Sequence, residues 1–323
     1  MSESISDSQG FSVLIVAYRR WKNISTILDV CQSAGISKIF LSLDPARDND
    51  TSVVADQREI ERVVLEFEAR SQIEVRRRPV QQNQGCAVNV IKGCDWAFQF
   101  SDNLMVLEDD CLPSITFFQF CRIQLSNLMS NPSVWLICGT QFAPKHLTNP
   151  DGVLSRYALT WGWATSKSKW TEIRESFFSK QPNPNLRDLY SFKAADAFWN
   201  AGARRALSGF TDVWDTVLVQ RMWTDEKYSI LPPENLILNN GNDQVSTHTD
   251  LDSPWTGRQV SSIVPAEGSK PVPSSETDLW LTNNFYKIRW RHVLSTKVTL
   301  FLDLLFHRRR AKFQVNLKDR LLS

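Results

Sequence analysis

The stretch Leu104-Met-Val-Leu-Glu-Asp-Asp-Cys-Leu-Pro113 decides how this chain reads. Four apolar residues make a short buried strand, and three acids follow it at once. Adjacent like charges repel, so Glu108-Asp109-Asp110 is an awkward way to end a strand. It suits a site that holds a hard cation with oxygen ligands. In open α/β sheets ligands bind outside the carboxyl ends of the strands, which is where the triplet falls. The competing reading is a solvated turn in which Asp109 or Asp110 helps to cap the helix that follows.

Working outward, Phe11 to Ala17 is an apolar, β-branched run that leads into Tyr18-Arg19-Arg20 and a helical pattern through Leu28 and Cys31. Lys38 to Leu43 is a second strand ending at Asp44, and Ile60, Val63, Val64 and Phe67 mark the next helix. Ile73 to Arg77 is a third strand, and Gly85 to Phe100 a helix carrying Val88, Ile91, Trp96 and Phe98. This alternation predicts an α/β fold: a mostly parallel, Rossmann-like sheet with helices on both faces. Downstream, Ser114 is placed to cap a helix with the stripe Phe117, Phe118, Cys121, Leu125 and Leu128, and Val134 to Cys138 reads as another strand.

Thr160 to Thr249 is mixed and rich in tryptophan. The expected organisation is a flexible N-terminus (1–10), a catalytic domain (11–250), a Pro-, Ser- and Gly-rich linker (251–277) and a basic, amphipathic helical appendage (278–323).

Composition narrows the class. The chain of 323 residues is 42% hydrophobic and 22% charged, which is ordinary for a globular protein. A net charge of +2, with no aromatic-basic RNA motif, argues against a nucleic-acid partner. The six cysteines are scattered singly, which reads as thiols of a reduced compartment and hence a cytoplasmic protein. Residues 1–10 lack a secretory pattern, and no apolar run is long enough to span a bilayer. In the appendage, Trp280, Phe285, Trp290, Leu300, Phe301 and Leu304 are interleaved with Arg289, Arg291, Lys297 and His307-Arg-Arg-Arg310. Two readings stand: a helix on the anionic inner face of a membrane, or one packed on the catalytic domain with a solvated basic end.

Several blocks together carry a resemblance: Asn83-Gln-Gly-Cys86, Asp95-Trp-Ala-Phe98, Val106 to Pro113, and Phe117-Phe with Phe120-Cys121. They resemble a group of bacterial nucleotide-diphospho-sugar transferases, some labelled hemolytic-protein-like, and the acidic triplet is similar to that of N-acetylglucosaminyltransferase I. The likeness continues through Trp161-Gly-Trp-Ala-Thr165, Trp214-Asp215, Trp223, Pro233, Asn235, Gly241 and Thr247-His248-Thr249. It implies a GT-A glycosyltransferase fold and transfer of a sugar from a nucleotide-sugar, UDP-linked, to a saccharide or lipid-linked acceptor with Mn²⁺ or Mg²⁺ as cofactor. The label hemolytic implies no pore, since no barrel-strand pattern is present.

By the same resemblance Asp110 binds the metal directly, with Glu108 and Asp109 supporting ribose or metal waters. Asp44 matches the acid that accepts the pyrimidine N–H, and Asn83 and Gly85 belong to the nucleotide block. Ala17, Tyr18 and Arg19 border the nucleotide, and His248 matches a histidine brought to the metal or diphosphate. Asp44 reads equally as a turn acid, Arg19 as a surface charge and His248 as a structural histidine.

An inverting transferase needs a carboxylate to take the acceptor hydroxyl proton, and Asp215 is the first choice, with Asp212 and Asp196 behind it. A structural alternative makes Asp212 the cap of the same helix and Asp215 its capping-box partner. The family-like pattern is Trp-Asp-Tyr-Gln-Trp, whereas this chain has Trp214-Asp-Thr-Val-Leu218. That departure sustains the alternative of a non-catalytic nucleotide-sugar-binding scaffold. Trp161, Gly162, Trp163 and Trp214 are the candidate sugar contacts, flat rings with a glycine that lets a ligand approach; the competing reading puts these rings in the core. A nucleotidyltransferase is a third reading, but Ala17-Tyr-Arg-Arg20 is not its Gly-rich loop.

Overall fold

The computed structural model describes residues 10–179, 193–241, 255–263, 265–289, 291, 294–295, 297–299, 301–302 and 317–322. Apolar runs make strands β1 (Ser12–Ala17), β2 (Ile39–Leu43), β3 (Val75–Arg77) and β4 (Asn103–Glu108). Helices α1 (Trp21–Ser33), α2 (Thr51–Ser71) and α3 (Cys86–Ala97) alternate with them. The chain continues through β5 (Cys111–Pro113), α4 (Ile115–Ser130), β6 (Val134–Cys138), β7 (Val153–Ser155), β8 (Trp163–Ser166), α5 (Lys167–Ser176) and α6 (Lys193–Leu207). Then follow α7 (Asp215–Thr224), β9 (Tyr228–Leu231), β10 (Ile237–Asn239), β11 (Val272–Pro273), α8 (Ser275–Trp280) and α9 (Leu317–Leu322).

Among the described residues one large sheet has the order β11-β7-β9-β6-β8-β4-β1-β2-β3. Its β3-β2-β1-β4 half is parallel throughout. Strand β8 runs antiparallel between β4 and β6, so those two strands point the same way. One face is covered by α1, α2 and α4 through Ile24, Leu28, Ile60, Phe67 and Phe117; the other by α3, α5 and α7 through Val88, Ile91, Trp170 and Leu218. The predicted α/β architecture, a mostly parallel sheet with helices on both faces, is the observed one. Ser114 does precede α4, yet its hydroxyl makes no cap hydrogen bond. Its backbone N–H instead donates to the Leu236 carbonyl at 3.0 Å, extending the β5–β10 pairing.

The segment after residue 255 is fastened to this body. Strand β11 pairs with β7 at the sheet edge, and Leu281, Ile288 and Leu317 are buried in the core. Asp278 is buried and accepts a hydrogen bond from the Ser155 hydroxyl at 2.5 Å and from the Arg156 backbone N–H at 3.2 Å. Burial lifts its carboxyl to about 7, against these hydrogen bonds and Arg156, which act the other way.

The folded pKa lies above the unfolded one, so the folded state binds the extra proton and stability falls as pH rises from about 4 to about 7. The cost of the buried carboxylate above that window is on the order of 4 kcal/mol. Asp278→Asn removes this dependence: its thermal midpoint relative to wild type rises between pH 5 and pH 8.

Candidate functional site

The site begins with an unmet need of β1. Where the strand ends, three successive amides, of Tyr18, Arg19 and Arg20, point away from any strand partner. Asp109 Oδ2 accepts all three, at 2.8, 3.0 and 3.2 Å, while Arg20 Nη1 donates to Oδ1 at 3.1 Å. Asn23 donates to the Asp109 carbonyl at 2.7 Å, and its amide pairs with that of Asn240. The middle acid of the triplet is therefore buried and committed to the β1–α1 loop.

Glu108 and Asp110 retain partial exposure on either side of it. Desolvation holds both carboxyls above the usual range; Asp110 and Asp109 add to the rise at Glu108, as does Asp215. At Asp110 the effect of Asp109 is opposed by Arg20, 4.0 Å away, and by the Cys111 thiol, which donates at 3.2 Å. Gly241 sits directly against this acid: a Cβ there would come 2.5 Å from Asp110 Oδ2. The β5–β10 pairing brings it there, with the Asn240 N–H donating to the Asp110 carbonyl at 3.1 Å.

A second cluster lies beyond β2. Asp44 is buried and accepts from Asn83 Nδ2 at 2.9 Å and from the backbone N–H groups of Gln84 at 2.7 Å and Gly85 at 2.9 Å. A carboxylate has about four lone-pair directions, so one acceptor position remains. Desolvation raises its pKa, and the two backbone hydrogen bonds and Arg78 work against that. Arg78 sits behind, donating to Ser42, Gln84 and Asn89 at 2.7–2.8 Å. Gln57 ties the two loops together by donating to the carbonyls of Tyr18 and Asp44.

Helix α3 links the clusters. Its first residue, Cys86, donates its N–H to Asp212 Oδ2 at 2.8 Å, and Gly85 has φ +77° with a Cβ position only 2.2 Å from that oxygen. Asp212 thus caps α3 rather than α7. Helix α7 starts at Asp215 itself, after Trp214, so the capping-box alternative does not form; Asp215 Oδ1 accepts its neighbour Thr216's N–H at 2.8 Å. Glu108, Asp110, Asp212 and Asp215 all raise the Cys86 thiol, after desolvation, so each of these acids lies within electrostatic reach of the start of α3. Arg320 of α9 closes the edge, donating to the Gln84 carbonyl at 2.5 Å and pairing with Asp212 at 3.1 Å.

The remaining expected residues fall as follows. Ala17 is buried and its carbonyl accepts the Asp44 N–H at 3.0 Å. Tyr18 is partly exposed, its hydroxyl 3.5 Å from the Arg47 N–H. Arg19 is paired with Asp56 of α2 at 2.7 Å. Trp163 and Trp214 lie in the core at 1% and 3% exposure, their rings 5.3 Å apart and both packed against Trp170. Trp161 is partly exposed, edge-on to Phe142. Gly162 makes room for Ile237, whose Cδ1 would be 2.5 Å from an added Cβ. Asp196 is on α6, hydrogen-bonded by Asn200. His248 lies outside the described residues.

Sequence reading missed Gln57, Arg78 and Arg320, and gave Asp212 another partner. Arg78 carried a signal, since it directly follows β3 at the carboxyl end of the sheet. The partners of Gln57, Asp212 and Arg320 exist only in the tertiary structure. Among the described residues no three His, Cys, Asp or Glu side chains form a metal cage.

No family model and no curated protein matches the chain. Among solved structures it is similar to a UDP-glucose pyrophosphorylase complexed with UDP-glucose. That match has 9% identity, covers 69% of this chain and 90% of that one, and has a TM-score of 0.34. At that level it identifies neither substrate nor reaction.

The two neighbouring aspartates separate by stability. Asp109→Asn keeps an amide oxygen for the three backbone N–H groups but turns its NH2 toward the Arg20 guanidinium and removes the charge that pairs with it, and it costs about 3 kcal/mol in urea unfolding. Asp110→Asn relieves repulsion among the acids and leaves the urea midpoint unchanged or higher.

Proposed function

We propose that the chain is a glycosyltransferase of the GT-A type that moves a sugar from a UDP-sugar to a saccharide or lipid-linked acceptor. One observation carries this reading: a nearly saturated buried carboxylate, Asp44, stands at the carboxyl end of β2 beside the N-terminus of α3, and Glu108 and Asp110 at the end of β4, with Asp215 of α7, lie within electrostatic reach of the same helix start. The first suits a base N–H and the second a hard cation with a diphosphate. The sequence resemblance points the same way.

In this reading Asp44 uses its remaining acceptor position for the pyrimidine N–H, and the Asn83–Gly85 loop holds that carboxylate in place. The side chains beside Asp110 fit a divalent ion: the donors are carboxylate oxygens, their charges raise one another's pKa, and Gly241 keeps the carboxylate's flank clear of a side chain. Mn²⁺ or Mg²⁺ commonly takes one or two protein carboxylates together with substrate phosphates, so Asp110, with Glu108 beside it, would hold it without a closed cage. Such an ion supplies positive charge to the diphosphate leaving group. Asp215 accepts the proton of the acceptor hydroxyl as its oxygen attacks the sugar carbon from the face opposite the diphosphate. Trp214, locked in the core against Trp163, fixes where α7 begins and so where that carboxylate stands.

Calorimetric titration of UDP, with GDP as comparator, tests the donor site in the presence of Mn²⁺ and then of excess chelator. UDP binds selectively and only with metal, and Asp110→Asn weakens that binding by about tenfold or more. Equal affinity in the variant removes the metal assignment; preference for GDP removes uridine.

Turnover is read as UDP released from UDP-glucose, UDP-galactose and UDP-N-acetylglucosamine. Asp215→Asn keeps UDP affinity and lowers this release by about a hundredfold or more. Selective binding without turnover of any donor supports the non-catalytic scaffold, consistent with the changed Thr216-Val-Leu218 segment.

A further inference from the structure

Between Leu279 and Leu302 the chain has no acid and four cations, Lys287, Arg289, Arg291 and Lys297, all exposed. The described residues from 291 to 302 are helical. On them Leu294, Val298, Phe301 and Leu302 are 65%, 47%, 61% and 43% exposed. Their spacing of four, seven and eight residues from Leu294 puts them on one helical face. Arg291, three residues before Leu294, continues the same face at its N-terminal end and Lys297 borders it beside Phe301; Lys297 also lies within electrostatic reach of Asp196 on α6.

The outward aim of the stripe follows from what precedes it. Tyr286 stacks on Tyr157 at 4.9 Å and Ile288 is buried, so the chain is anchored in the body immediately before this helical segment. Single exposed leucines are ordinary on a protein surface, but a stripe of four large apolar side chains is not. Charge selects the occupant. In a two-fold contact with another copy the same cations would face each other, and the stretch from Arg291 to Leu302 carries no acid of its own to pair them. A surface of lipid phosphates meets cations flanking an apolar stripe with opposite charge at the headgroups and apolar contact beneath.

We infer that this face is a docking surface for an anionic lipid bilayer. Leu294, Val298, Phe301 and Leu302 enter the headgroup boundary, and Arg291 and Lys297 lie at the phosphates. The inference stands independently of the sugar-transfer reading, since it uses no residue of that site.

The test is sedimentation of the full chain with vesicles of phosphatidylcholine alone, or with about one third phosphatidylglycerol. Wild type pellets with the anionic vesicles and not with phosphatidylcholine alone, and raised salt weakens the binding. The double substitution Leu294→Ser and Phe301→Ser lowers vesicle affinity by about tenfold or more, with an unchanged circular dichroism spectrum and thermal midpoint because both side chains are exposed. No preference for anionic vesicles, or equal binding by the double variant, overturns the inference. Light scattering that shows a dimer dissolved by the same substitutions overturns it too, and assigns the stripe to a second copy.

Discussion

Three backbone N–H groups in a row at the end of β1 require an acceptor that the sheet does not provide, and Asp109 is that acceptor. Leaving such donors buried and unpaired would cost on the order of 1–3 kcal/mol each. One carboxylate removes that cost and joins the β1–α1 loop to the end of β4. Because Asp109 turns into the protein, Glu108 and Asp110 are left half-buried on either side of it despite mutual repulsion. A structural acid thus stands between two partly exposed ones, and its hydrogen bonds to the β1–α1 loop fix the backbone from which the outer two project.

The tryptophans do comparable work on the other half of the molecule. Strand β8 enters antiparallel between β4 and β6, with Trp163 at its first position pointing into the core. Trp170 and Trp214 complete a ring cluster there, and Trp170 donates its indole N–H to Asp95 of α3 at 2.7 Å. Burial of rings this large fixes α5, α7 and α3 relative to one another. The acids they carry, Asp215 on α7 and Asp212 just before it, inherit that fixed geometry.

How much of this was legible in the sequence depended on the range of the interaction. Periodicity located the first four strands, α1, α3, α4 and β6 to within a few residues, because local burial dictates those patterns; it marked α2 only from Ile60 onward, since the helix's first turns from Thr51 are mostly polar. It also flagged Asp44 and Glu108 to Asp110 as strand-end acids. It did not reveal that Asp109 faces inward, since three adjacent carboxylates look alike until the β1 loop is beside them. Cap assignments went astray for the same reason: Asp212 is near α7 in sequence but its oxygen lies on α3, and Ser114 answers to the β5–β10 ladder. Tryptophan spacing says that rings are present, not whether a ligand or other rings will cover them. Ring burial put Trp163 and Trp214 in the core and left Trp161 partly exposed.

Arg320 donates to the carbonyl of Gln84, 236 residues earlier. Contacts so distant along the chain form late, because a long loop must close before they can reward it. The sheet and its acidic turn are built largely from residues before 241 and can assemble on a growing chain. The edge formed by Gln84 and Asp212 gains its guanidinium only once residue 320 has been made. This edge of the site therefore joins two parts of the chain that are far apart in sequence, and it forms only after the scaffold before residue 241 has been made.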